Sequence, residues 1–235
     1  MYNLIHIVIP ACNERENIKT TLSEIRDKVR TPCHVTIVYD FDEDSTLPAV
    51  EEWMRTNWEV FLLKNKYGKG AANAIKTGFE MVDGDVILVT MADLSDDLAK
   101  VDVMFKRVNE GYDIVCGSRY MKGGEQQGGP WLKKLLSRTA GVSLHVLTGL
   151  PTHDVTNSFK MYTKKVLNNI KIESGSGFEL GMEIVIKAHF SGFKVTEIPC
   201  TWVDRRQGES RFKILRWMPK YLRWYFYGLR KFLLH

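Results

Sequence analysis

Four cysteines in 235 residues, Cys12, Cys33, Cys116 and Cys200, stand far apart with no C-x-x-C pair. That spacing offers neither a zinc ribbon nor a disulfide framework and fits a reducing compartment. No stretch approaches the ~20 apolar residues of a spanning helix. The first apolar run, Leu4 to Ile9, is short, lacks a basic lead-in and stops at Pro10, unlike a secretory leader. The chain therefore reads as soluble or peripheral. Internal repeats and clear linkers are missing too, so one α/β domain with a short appendage accounts for the length. The histidines show no metal-ligand spacing, and His6, inside a strand-like run, reads as a packing residue. Acid is missing from the tail: Arg211 to His235 holds seven Lys and Arg and no Asp or Glu, and removing those seven from the net charge of +5 leaves −2 for residues 1 to 210. The basic character belongs to the tail, and no nucleic-acid partner is expected.

What is present centres on Gly84 to Asp97, GDVILVTMADLSDD. Asp85-Val-Ile-Leu-Val-Thr90 has the nearly unbroken apolarity of a strand buried on both faces of a parallel sheet. Asp93, Asp96 and Asp97 follow at its carboxyl end, where open α/β sheets place ligands. Carboxylates there suit a hard cation, Mg2+ or Mn2+, which takes one or two carboxylates plus substrate phosphates. Asp93 comes too early to cap the next helix and reads as the functional acid, whereas Asp97 reads as the helix cap.

Strands and helices alternate on either side. Leu4 to Ile9 is a first strand; Asn13 with Glu16 has capping-box spacing, and Ile18, Leu22, Ile25 and Val29 form a helical stripe. His34 to Tyr39 is a strand followed by an acidic loop, Asp40 to Asp44. A helix from about Thr46, a strand at Glu59 to Leu63, a helix from Gly70 to Met81, a helix around Lys100 to Asn109 and a strand at Tyr112 to Gly117 continue the pattern. This predicts a mostly parallel sheet with helices on both faces. Lys122 to Pro130, glycine-rich and polar, reads as a mobile loop or lid. Beyond it lie a helix from Trp131 to Leu147, an extra strand at Ser158 to Tyr162, a helix from Phe178 to Phe190 and a strand at Lys194 to Pro199. Extended chain follows at Thr201 to Val203.

Five motifs in order, Ile9-Pro-Ala-Cys-Asn-Glu-Arg-Glu-Asn17, the acidic loop at Asp40, Ala92-Asp-Leu-Ser95, Gly117-Ser-Arg-Tyr120 and Val203-Asp-Arg-Arg-Gln-Gly-Glu-Ser-Arg211, resemble family-2 glycosyltransferases of the GT-A fold. The likeness is to the dolichol-phosphate mannose synthase and polyprenyl-phosphate branch, and it spans nearly the whole chain. It implies a GT-A, Rossmann-like domain at 1–211 with an amphipathic helical tail at 212–235. By this resemblance Pro10, Glu14 and Asp40 line the nucleoside, Ala92 and Asp93 carry the metal motif, and Arg119 stands near the phosphates. Asp154, with Thr156 to Lys160 and Ser158 among them, faces the acceptor, Glu183 matches an acid on the following helix, and Arg205, Arg206, Ser210 and Arg211 close over phosphate. Three positions depart from the family pattern: Met91 replaces the first acid of D-x-D, Cys12 an aromatic, and Tyr39 an acid. Asp93 is left as the chief anchor for Mg2+ or Mn2+.

The expected reaction is inverting transfer of a sugar from a GDP- or UDP-linked donor to a polyprenyl phosphate. The cation at Asp93 and the guanidinium groups of Arg119 and Arg206 neutralise the leaving diphosphate. A lipid phosphate is already anionic and needs positioning, whereas a glycan hydroxyl, the alternative acceptor, requires a base such as Asp154 or Glu183. A third alternative, prompted by Met91, is an inactive membrane-recruited binding module. Lys69, between two glycines, fits either a helix N-terminus facing the donor diphosphate or an exposed turn. In the tail Ile214, Met218, Leu222, Tyr225, Leu229 and Leu233 fall at helical spacing with Pro219 as a kink or break. Its aromatics and cations suit a membrane interface on the cytoplasmic side, and packing on its own domain or in a homo-oligomer is the alternative.

Overall fold

The computed structural model describes residues 1–175, 177–204 and 214–234, with side chains from 217 onward in the last stretch. Arg205, Arg206, Ser210 and Arg211 lie outside the described residues. Nine strands and eight helices appear among those described. The first half alternates as β1 (Ile5–Ala11), α1 (Arg15–Lys28), β2 (Cys33–Tyr39), α2 (Thr46–Met54), β3 (Phe61–Lys64), α3 (Ala71–Met81), β4 (Val86–Val89), α4 (Val101–Asn109) and β5 (Ile114–Ser118). Then come β6 (Glu125–Gln127), α5 (Trp131–Thr148), β7 (Lys160–Thr163), α6 (Lys164–Asn169), α7 (Leu180–Phe190), β8 (Val195–Pro199), β9 (Thr201–Val203) and α8 (Ile214–Leu233).

Seven strands form one sheet in the order β3-β2-β1-β4-β7-β5-β8, parallel except for β7, which runs antiparallel to both β4 and β5. Side-chain alternation along β1 sorts the core: Ile5, Ile7 and Ile9 pack with α1, α2 and α4, while Val8 packs on the opposite face with α3 and α7. Burial on both faces explains why β4 is apolar at every position, Val86 to Val89. The strand order turns at β1, from which the chain winds outward to β2 and then back to β4. The carboxyl ends of β1 and β4 thus diverge around a crevice, the usual ligand position in such sheets.

Several local expectations are corrected. The 122–130 segment is not a free loop: β6 pairs parallel with β9 as a two-stranded sheet, and Gln126 is buried. Polar side chains concealed a strand whose partner lies some 75 residues away, a distance no local pattern reports. Asn13 does not cap α1. It sits at φ 57, its amide nitrogen donates to Asp44 Oδ1 and its Oδ1 accepts from Ser45 N, so it ties two loops together. Asp97 likewise makes no side-chain cap; its Oδ2 accepts from Thr201 N, which joins the tip of β4 to β9. Pro219 lies in the second turn of α8, which nonetheless runs as a single helix from Ile214 to Leu233.

Candidate active site

A cavity of about 510 Å3 opens over the carboxyl ends of the strands. Its first wall is made by the β1, β2 and β4 tips: Pro10, Cys12 and Glu14, then Asp40, then Met91 and Asp93. Asp40 is fixed by two donors, Asn65 Nδ2 to Oδ1 (2.8 Å) and Gly70 N to Oδ2 (3.0 Å), so α3 begins against it. Glu14 accepts from Asn17 Nδ2 (2.8 Å) while its backbone amide donates to Thr46 Oγ1. Lys69 points its ammonium over the Phe41 ring, 4.6 Å from the centroid, and does not line the cavity. Ala92 is buried behind the wall, its carbonyl accepting from Thr21 Oγ1.

Asp93 folds into a tight turn, its Oδ1 accepting from Ser95 N (3.2 Å) and Ser95 Oγ (2.6 Å), and both residues line the cavity. Among the described residues no three His, Cys, Asp or Glu converge as a metal cage. One carboxylate and a neighbouring hydroxyl, all-oxygen and open to a ligand, suit a hard cation that takes its remaining oxygens from a diphosphate. Asp96 faces away from that position: its Oδ2 accepts from Met91 N and Thr90 Oγ1, both at 3.0 Å. Enclosure of its carboxyl pushes the pKa up to about 7, against the pull of the Met91 hydrogen bond and with the Asp93 charge adding to the rise.

Arg119, following β5, stands on the opposite wall. Its Nε and Nη2 grip Asp154 at 2.6 and 2.9 Å, Nη2 also reaches Thr156 Oγ1 at 3.2 Å, and its backbone amide donates to Asp154 Oδ2. Its Nη1 makes no hydrogen bond among the described residues. Burial alone would raise the Asp154 pKa, but the guanidinium outweighs it and holds the carboxyl below its ordinary range. Asp154, fully buried, therefore faces Arg119 and not an acceptor, whereas Ser158 does line the cavity. Glu183 is also fully buried: Oε1 accepts from Glu173 N and Lys187 Nζ, and Oε2 from Ser174 N. Neither carboxylate considered as a base is open to a substrate.

The remaining wall went unassigned in the sequence. It comes from α5 (Lys133, Leu136, Ser137, Ala140), from Gly177 and Phe178, and from α8 (Trp217, Met218, Tyr221, Leu222, Tyr225). The i, i+3, i+4 spacing in both helices was the available signal. Trp224 anchors α8 from its other side, 2% exposed with Nε1 donating to Ser174 Oγ (3.0 Å). Packing on the chain's own domain thus holds for one face of the tail. Asp204 and Trp217, on either side of 205–216, both line the cavity.

Two outcomes test this electrostatic layout. In urea unfolding, Asp154→Ala lowers stability by about 3–5 kcal/mol because it strands a buried guanidinium, and the Arg119→Met/Asp154→Leu pair loses less. Asp96 has a folded pKa above its unfolded one, so the native state loses stability as pH rises from about 4 to about 7. In EDTA, Asp96→Asn should match wild type at pH 4 and exceed it by roughly 2–4 kcal/mol at pH 8.

The chain is similar to several known proteins. A dolichol-phosphate mannosyltransferase of Pyrococcus furiosus is 30% identical over 231 residues, covering 94% of this chain and 64% of that protein, so the chain spans just under two thirds of that relative. A polyprenol monophosphomannose synthase of Mycolicibacterium smegmatis is 28% identical over 227 residues, 90% of this chain and 85% of that one. In fold, a glucosyl-3-phosphoglycerate synthase of Mycobacterium tuberculosis, crystallised with Mn2+, UDP and glucosyl-3-phosphoglycerate, superposes with a TM-score of 0.72 at 13% identity, covering 97% of this chain and 80% of that one. The sheet is accordingly that of the GT-A fold. With the glycosyl transferase family 2 model matching residues 6–171, the chain belongs to that family and is a glycosyltransferase.

Proposed function

We propose that the enzyme transfers a hexose, mannose by preference, from a nucleotide-diphosphate sugar to a polyprenyl phosphate at a membrane surface, with inversion at the anomeric carbon. The observation that carries this reading is one continuous cavity running from Asp40 and Asp93 at the strand tips, past Arg119, into an apolar slot between α5 and α8. The names of the two curated relatives support the lipid-phosphate acceptor.

Pro10, Glu14 and Asp40 hold the nucleoside, GDP or UDP, with Asp40 already braced by α3 to receive base or ribose donors. Asp93, with Ser95, would hold Mg2+ or Mn2+, and the ion would supply Lewis acidity to a diphosphate leaving group. Arg119 offers Nη1 to a phosphate while Asp154 fixes its plane, a bidentate arrangement that sets direction as well as charge. Arg206, with Arg205, Ser210 and Arg211, supplies further phosphate contacts. An acceptor that arrives anionic needs no proton removed, which fits the enclosure of Asp154 and Glu183. Leu136, Ala140, Met218 and Leu222 make the slot apolar enough for the first isoprene units.

No described helix is long and apolar enough to cross a membrane. Peripheral contact is supported by the outer faces of α5 and α8, where Trp131, Leu132, Leu135, Phe226 and Phe232 are exposed. Lys and Arg of the same helices lie alongside to meet anionic headgroups on the cytoplasmic side.

Incubation with GDP-mannose or UDP-glucose, Mn2+ and undecaprenyl or dolichyl phosphate should yield an organic-extractable sugar phospholipid. Asp93→Asn should lower kcat/KM roughly hundredfold or more, and sugar appearing only on a glycan hydroxyl would refute the acceptor. In flotation assays the protein should bind vesicles containing anionic lipid and partly release in 0.5 M salt, a condition of about 4 Å Debye length. Phe226→Glu with Leu135→Glu should abolish flotation at either salt.

A further inference from the structure

Beside the cavity a buried carboxyl oxygen has no hydrogen bond among the described residues. Glu179, the residue before α7, is 2% exposed, and its Oε2 is buried without a partner. It occupies the N-cap position of α7 but makes no side-chain cap, and it forms no ion pair among the described residues. Burial raises its pKa, with Lys220 acting against and Glu183 with that shift. An unmet buried oxygen costs about 1–3 kcal/mol, so a native fold that retains one calls for an explanation.

Gly177 shows where this oxygen points. A Cβ on Gly177, which lines the cavity, would stand 2.4 Å from Glu179 Oε2 and 2.1 Å from Trp217 Cζ3. Gly177 and the edge of the Trp217 indole, which rests on the same spot, therefore stand between the cavity and the carboxyl. Asp40, Asp93, Gly177 and Phe178 line one cavity. With the nucleoside at Asp40 and the diphosphate at Asp93, as the proposed function has it, the sugar is the part of the donor left to meet Gly177 and Phe178. A sugar is the part of the donor richest in hydroxyl groups, and a carboxylate is an acceptor with no donor of its own when ionised.

We propose that Glu179 recognises the donor sugar, its Oε2 accepting a hydrogen bond from one hydroxyl at the place where the Trp217 ring edge now meets Gly177. This assignment rests on the reading of the cavity as a nucleotide-sugar site. It makes Gly177 a required gap, since any side chain there would fill the passage between sugar and carboxylate. Glu179 becomes a specificity-determining residue for the hexose, while the nucleotide is held elsewhere.

Calorimetry with Mn2+ and four ligands, GDP-mannose, UDP-glucose, GDP and UDP, tests it on wild type and Glu179→Leu. The leucine variant should bind the preferred nucleotide-sugar about tenfold more weakly, the worth of one hydrogen bond to a charged group, and bind the parent diphosphate as wild type does. On the same nucleotide, one singly deoxygenated sugar should cost wild type about tenfold and cost the variant nothing further. Glu179→Ala gives the same comparison should leucine not be accommodated. Unchanged affinity for the nucleotide-sugar overturns the assignment, as does an equal loss for sugar-bearing and sugar-free ligands, which marks a structural role. Wild type that binds none of the four refutes the donor reading itself and the assignment with it.

Discussion

The buried pair of Arg119 and Asp154 is the contact on which one wall of the cavity is built. Desolvating two charges is repaid only when geometry is good and the other polar atoms are satisfied. Here the carboxylate receives the guanidinium on two edges, the Arg119 amide, and Asn157 N at 3.2 Å. The turn that carries Asp154 is itself pinned: Thr152 and His153 bond the Glu197 carboxylate of β8, and Asp154 N donates to Thr152 Oγ1. From above, α5 lies so close that a Cβ on Gly141 would stand 2.2 Å from His153 O. One ion pair thus fixes β5, β8 and α5 relative to each other, and with them the wall where a phosphate would dock.

That wall and the strand tips divide the chemistry. Carboxylates at the β2 and β4 ends suit a nucleoside and a cation, while the guanidinium suits an anion approaching from the opposite side. Lys160 adds to this asymmetry. It is fully buried on β7 with Nζ donating to Val155 O (3.2 Å), and burial lowers its pKa while the Asp154 charge works to raise it. A positive interior behind the 154–158 turn and a negative rim at Asp40 and Asp93 give the cavity two ends of opposite sign.

What could be read from the sequence followed the range of the forces. Strand β4 was legible because burial on both faces dictates an unbroken apolar run, and α1 because its stripe is local. The sheet's parallel character followed from alternation, but the antiparallel run of β7 between β4 and β5 is a tertiary choice that leaves no period. Carboxylates were the least legible. Asp93, Asp97, Asp154 and Glu183 look alike in a sequence, yet one lines the cavity, one ties β9, one holds a guanidinium and one caps the 173–174 turn. For the last three, those differences are set by donors 9 to 104 residues away. The family motifs include Asp93 and Arg119, both of which line the cavity, but they do not extend to Gly177, Trp217 or the α5 face.

The tail shows why a single amphipathic reading was incomplete. Its periodicity marks one apolar stripe, but α8 has three duties around its circumference. Trp224 enters the second core, Met218, Tyr221, Leu222 and Tyr225 complete the cavity, and Phe226 looks outward. Tyr225 also joins α5 through Ser143, 2.9 Å away, which ties the two helices to each other. The same helix pair walls the cavity and presents an apolar exterior, so a change that loosens α8 from α5 alters the cavity wall and the outer face together.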